Sequence, residues 1–426
     1  MRVAVAFEGR LPSPQADSEA LVNSAAALAR RGHRVVILHA SNRSGANDSE
    51  AIREYYGTAD AEFAGLRNPF RQRTARHAFQ ALRIPSTREY ATADVIYTRN
   101  LAILASSLNR GAPVLFDHYR PYPDQRPGLQ PLLRAWMTHP DFLGIACHSE
   151  LAARSFRRIG ITADRVRVVR NGFEPRLMEP ALPKTEARAR LGLDPARPIV
   201  TYAGRINERK GLDVLLAAAV RLPDAGFLLV GSAGEENEIE RSCREIPNVR
   251  LVPWQRPEAV APYLYASDVV VIPPSAEPLD TFGRTVLPLK AYLYLASGRP
   301  IVAGDTPDVG EVLEDDVNAL LVAPGDVEGT AGAIARLLDD PERADRLSRR
   351  AREDSRRYTW DARAERLEAF MAERLAVPRV RSVDPGWTFV GWMRECLGLR
   401  GPSRVRAREG ARGRGDRVTT ARSARR

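Results

Sequence analysis

"AGRINERKGLDVLL", residues 203–216, decides how the chain is read. It follows an apolar run from Pro198 to Ala203 and leads into helical spacing, so it reads as a buried strand, a short loop and a helix from Gly211. Two cations, Arg205 and Lys210, bracket the junction. A helix N-terminus carries about half a positive charge and favours Asp, Ser or Thr, so a lysine there works against stability. A bound anion would reverse that sign: Lys supplies a point charge, Arg a planar fork of donors, and the helix end its backbone N–H groups. The bland alternative is two solvated cations beside Glu208 and Arg209.

On both sides of this stretch, short apolar runs alternate with helical segments. Upstream stand "RVAVAF", "HRVVILHA", "DVIYTR", "PVLFDH", "FLGIACHS" and "RVRVVRNG"; downstream stand "GFLLVG", "NVRLVP", "DVVVIP", "PIVAG" and "ALLVAP". Such runs predict parallel sheets covered by helices on both faces, an α/β chain with two doubly wound domains. The expected boundaries are 1–175 for the first domain, 176–195 for a Pro-containing linker and 196–358 for the second domain. A closing helix at 359–376 and a basic tail at 377–426 complete the chain. In open parallel sheets ligands sit at the carboxyl ends of the strands, which is where Arg205 and Lys210 fall.

Composition narrows the classes. A hydrophobic content of 44% over 426 residues supports packed cores rather than disorder. The net charge of +11 is concentrated: residues 379–426 hold thirteen Arg against four acids, leaving a near-neutral body and no case for specific nucleic-acid binding. Cys147, Cys243 and Cys396 lie far apart with no His at ligand spacing, which argues against zinc and against a disulfide framework. No apolar run reaches the roughly 18 to 20 residues of a membrane span, and "MRVAVAFEGR" lacks the pattern of a leader, so the expected location is cytoplasmic. In the tail, disorder is expected from Gly401. The 387–399 patch reads either as an amphipathic helix on the inner face of a membrane or as a segment packed back on the body.

Taken in order, "LARRGHRVVIL", "CHSELAARSFRRIGITADRVRVVRNGFE", "AGRINERKGLDVLLAA", "FLLVGSAGE", "YASDVVVIPPS" and "ASGRPIVAGDTPDVGEVL" resemble the family 4 glycosyltransferases of the GT-B fold. The resemblance covers about residues 1–375. It implies two Rossmann-like domains facing a central cleft, with a UDP- or GDP-linked sugar on the second and a glycan, lipid-linked glycan or small glycoside acceptor on the first. It also implies retaining transfer with no metal and no cofactor beyond the donor. Arg205 and Lys210 match the family's diphosphate-binding pair, with Gly204 beside them.

The same resemblance makes His118 in "VLFDHYRPYPD" a contact to the donor sugar, Gly9 a close backbone approach after the first strand, and Trp254 in "VPWQRP" a neighbour of the nucleobase; read from the residues alone, His118 is a turn residue and Trp254 a side chain packed over the sheet edge. Arg154, Arg157 and Arg158 read as a solvated helix face. The largest departure lies in "PPSAEPLDTFGRTVLPLKAYLYLASGRP". The family places two glutamates eight positions apart there, and anchoring on "ASGRP" puts Thr285 and Leu293 in their places. Glu277 or Asp280 could take the first carboxylate's role through an insertion. Leu293 cannot accept a hydrogen bond from a ribose hydroxyl. The missing pair keeps a second reading in view, a non-catalytic relative that binds a nucleotide sugar or a partner transferase as a scaffold. A nucleotide-sugar epimerase is a third.

Overall fold

A computed structural model describes residues 1–41, 49–58, 60–234, 237–275 and 287–378. The first sheet contains β1 (Arg2–Arg10), β2 (Arg34–Ser41), β3 (Glu62–Arg67), β4 (Val95–Thr98), β5 (Val114–His118), β6 (Phe142–Cys147) and β7 (Val166–Val168). The second contains β8 (Ile199–Ala203), β9 (Gly226–Ser232), β10 (Val249–Pro253), β11 (Val269–Ile272), β12 (Ile301–Gly304) and β13 (Leu320–Val322). Their orders are β3-β2-β1-β4-β5-β6-β7 and β10-β9-β8-β11-β12-β13, parallel throughout.

The uninterrupted apolar runs follow from burial on both faces. In β1, Val3 and Val5 face one layer of helices while Ala4 and Ala6 face the other. In each sheet the chain first winds outward to one edge, then returns to lay β4 beside β1 and β11 beside β8. These reversals are the switch points where open α/β sheets bind ligands. The loops after β1 and β8 meet: Arg205 Nη2 donates to the carbonyl of Pro14, 2.6 Å away. The two switch points therefore face each other across one cleft.

Two features depart from a simple pair of beads. The 176–195 stretch, expected as a linker, carries the helix Lys184–Leu191 and joins the second core through Met178 and Ala187. The buried Arg188 ties it down, donating to the carbonyls of Ala266 (3.0 Å) and Pro195 (2.6 Å) and to Asp268 (2.5 Å). The helix Trp360–Ala376 crosses back to the first domain. Its buried Trp360, Ala364, Leu367 and Met371 recur at helical spacing and pack with Val5, Leu28 and Tyr97. Each large side chain buried there stabilises the docking by about 2 kcal/mol. Among the described residues no helix is long and apolar enough to cross a membrane. The tail, with Cys396, lies outside the described residues.

Candidate active site at the interdomain cleft

The loop after β8 differs from the sequence expectation in one respect. Lys210 is not in the first turn of the helix. Residues Glu208–Lys210 form a 3-10 turn, capped by Asn207 accepting from Arg209 N, and the helix starts at Leu212 after Gly211. Gly211 has φ +65°, and a Cβ there would approach the backbone of Ser275 to 3.1 Å, so the turn requires glycine. The helix Leu212–Arg221 has no side-chain cap: the Gly211 carbonyl accepts from Leu215 N–H, but Gly211 offers no side-chain acceptor to the N–H groups before Leu215. Arg205 and Lys210 are exposed on this loop. Tyr202 fixes its base by donating to the Arg205 carbonyl at 2.8 Å. Gly204, at φ +147°, allows the bend that leads into it.

In the first domain, His118 ends β5 at the carboxyl edge of the sheet. Its ring stacks on Phe116, with centroids 5.3 Å apart, and meets Tyr122 edge-on. Both ring nitrogens are buried without a hydrogen-bond partner. Burial, reinforced by neighbouring His148, pushes its pKa down to about 3, so the imidazole is neutral and keeps one donor and one acceptor. Behind it lies Asp117, fully buried and surrounded by donors. Arg363 Nη2 reaches both of its oxygens at 2.9 Å, Arg99 Nη2 lies at 2.6 Å, and Tyr97 also donates. Burial alone would raise this carboxyl, but the guanidiniums of Arg363 and Arg99 hold it well below the usual range.

His148 completes the network. Its Nε2–H donates to Asp117 at 2.8 Å, and Nδ1 accepts from Asn171 Nδ2 at 3.0 Å. Burial pushes its pKa down to about 4 against the pull of Asp117. Asn171 belongs to the "NGFE" turn. A Cβ on Gly172 would stand 2.5 Å from the Thr359 backbone, because the two chain crossings between domains run side by side there.

The remaining expected residues fall in several places. Gly9 lies one residue before the end of β1, and a Cβ there would strike the Phe7 ring at 2.5 Å, so this glycine makes room for a core aromatic. Trp254 stacks on Tyr55 of the first domain, centroids 5.6 Å apart and planes 14° apart, so its partner in this structure is a tyrosine from the opposite wall. Leu293 is half-buried on the helix Lys290–Ser297 against the second core. Glu277, Asp280 and Thr285 lie outside the described residues. Arg157 pairs with Glu150 and Arg158 with Asp124 on the surface. Cys147 and Cys243 are buried free thiols, pushed up by burial.

Sequence reasoning missed Arg363, His148 and Glu311. Arg363 and Asp117 are 246 positions apart, and no local pattern announces the pair. Glu311 follows β12 and accepts from the N–H groups of Glu150 (2.7 Å) and Leu151 (2.8 Å), while Arg170 donates to it at 2.9 Å. A carboxylate of the second domain thus caps the helix Glu150–Arg158 of the first. Among the described residues no cluster of three His, Cys, Asp or Glu could hold a metal ion.

Comparison with known proteins agrees with this architecture. Residues 20–177 match the family described as Glycosyltransferase Family 4, and residues 197–340 match Glycosyl transferases group 1. A D-inositol 3-phosphate glycosyltransferase of Xylanimonas cellulosilytica is 34% identical over 233 residues, covering 52% of this chain and 54% of that protein. The chain thus spans about half the length of the curated relatives it matches. Among solved structures, sucrose-phosphate synthase from Thermosynechococcus elongatus superposes with a TM-score of 0.71 at 19% identity, covering 88% of this chain and 98% of that one. The Anabaena protein HepE in complex with UDP gives 0.67 at 18% identity, covering 88% and 100%.

Proposed function

Because the chain belongs to the family 4 glycosyltransferases and has their two-domain GT-B fold, we propose that it moves a sugar from a nucleoside-diphosphate sugar to a hydroxyl acceptor. The observation that carries this reading is the loop after β8. It sets Arg205 and Lys210 at the switch point of the second sheet, in contact with the corresponding loop of the first. Leaving-group departure in such a transfer builds charge on the nucleoside diphosphate, and cations fixed beside it stabilise the transition state more than the ground state. Arg205, Lys210 and the N–H groups at Leu212 supply that field from the chain's own residues, without a metal. His118, neutral and with both nitrogens buried, offers a hydrogen bond to a sugar hydroxyl from the other wall. Retention follows from the resemblance.

The acceptor classes are a glycan, a lipid-linked glycan or a small glycoside, and the name of the Xylanimonas relative adds a phosphorylated polyol to those worth testing. Peripheral attachment to an anionic membrane through the basic 379–426 tail belongs to the same proposal. The scaffold reading has one observation in its favour, the apolar Leu293 at the position where the family resemblance implies a carboxylate. Incubation with a panel of UDP- and GDP-sugars separates the readings. A transferase releases the nucleoside diphosphate, even slowly to water. Binding without release overturns the enzymatic reading, and return of a different nucleotide sugar marks an epimerase.

A further inference from the structure

The loop after β8 holds more positive charge than the Arg205 and Lys210 pair. Lys290 opens the helix Lys290–Ser297, and its ammonium lies 3.5 Å from the centroid of the Tyr202 ring. The same nitrogen is 2.7 Å from the point a Cβ on Gly204 would occupy, so it rests directly on the bend that precedes Arg205. It makes no ion pair with any described residue; the ring face is its partner. Tyr202 therefore contacts both residues, the Lys290 ammonium through its ring and the Arg205 main chain through its hydroxyl.

For the fold alone this arrangement is unfavourable. A half-buried ammonium next to a second lysine raises the free energy of the charged form. Burial and Lys210 accordingly hold Lys290 well below the ordinary lysine range. A methionine would fill the same space without that penalty. Leu293 bears on this as well. It stands one turn along the helix from Lys290, where a glutamate would be placed to pair with the ammonium. Leucine leaves the charge available to a ligand.

We propose that Lys290 is a third cation of the diphosphate site, donating to the phosphates of a nucleoside diphosphate alongside Arg205 and Lys210. The inference rests on the donor reading above and extends it to a residue outside the recognised pair. Binding of the anion then restores the full charge of Lys290, so the complex takes up a proton at alkaline pH. Among the described residues, the charged and ionisable groups around Tyr202 and Lys290 are Lys210, Arg205 and Tyr294. Burial raises the pKa of both phenols, so they stay protonated through that range.

The test is calorimetry of the full chain with UDP, GDP, uridine and guanosine, in wild type, Lys290→Met and the double variant Arg205→Ala with Lys210→Ala. Lys290→Met is expected to weaken diphosphate binding by at least about tenfold, leave nucleoside binding unchanged and leave the melting temperature unchanged or higher. Titrations at about pH 8.5 in buffers of different ionisation enthalpy should show proton uptake in wild type that Lys290→Met lacks. Diphosphate affinity and proton uptake equal to wild type in Lys290→Met overturn the inference, as does a parallel loss of nucleoside binding. If the double variant weakens binding and Lys290→Met does not, only the role of Lys290 falls. Failure of wild type to bind either diphosphate overturns the donor reading, and this inference with it.

Discussion

At the scale of single residues, the cleft is defined as much by what is neutral or missing as by charge. Leu293 is packed against the second core, so Leu293→Glu puts a carboxylate into a half-dry site at a cost of about 1–3 kcal/mol. The expected outcome is a lower melting temperature and lower turnover than wild type. Tighter nucleotide binding by the variant, with no turnover in wild type, would instead mark a decayed enzyme. The histidines set a second expectation. His118 and His148 remain neutral in the fold down to about 3 and about 4, whereas an unfolded imidazole takes a proton near 6.5. The unfolded chain therefore binds more protons below that value. Stability should be full above about pH 7 and fall as pH drops from about 6.5 towards 4. Melting curves across that range check it, and His118→Phe, which keeps the stack on Phe116, should remove part of the loss. A flat melting temperature between those pH values contradicts the reading.

At the scale of elements, the last helix acts on a strand end far away in sequence. Arg363 donates to Ser24, Val169, Arg170 and both oxygens of Asp117, one position before His118. Removing it leaves a buried carboxylate short of its planar partner, so Arg363→Met should destabilise the protein by about 3–5 kcal/mol in urea unfolding. Arg363→Lys, which keeps the charge without the fork, should recover only part of that. A change below about 1 kcal/mol would show that Arg99 alone suffices. This dependence explains what the sequence made legible. Strands such as "RVAVAF" and "FLGIAC" carry their burial in their own composition, and the β8 junction showed its two cations in the sequence, although Lys210 lies in a 3-10 turn ahead of the helix. The Arg363 to Asp117 contact, the Glu311 cap and the Tyr55 to Trp254 stack depend on how distant segments meet, which no local period encodes. Lys290 stood in the quoted "PLKAYLYLASGRP", but that it pairs with no carboxylate among the described residues is visible only in three dimensions.

At the scale of the whole molecule, the two domains are joined at several points. Trp254 stacks on Tyr55, Arg256 pairs with Glu54 at 2.8 Å, and Glu311 caps a helix of the opposite domain. The Glu311 contact is the best placed to set their relative position, since it joins a carboxylate to two backbone donors and a guanidinium. Glu311→Ala should loosen the pair, raising the radius of gyration in small-angle scattering and separating one calorimetric transition into two. An unchanged scattering profile would show that the other contacts hold the domains alone. The return of the helix Trp360–Ala376 also bears on how the protein is made. The second domain is a continuous piece of chain and can condense as soon as it leaves the ribosome. The first has its seven strands early but lacks its final helix, and the Arg363 guanidinium, until residue 376 has been translated. At about 5–20 residues per second, the roughly 200 residues in between take about 10–40 seconds. Throughout that interval the nascent first domain presents an uncovered apolar stripe and an under-partnered Asp117. The half synthesised first is therefore the half completed last, and the one with most need of a chaperone.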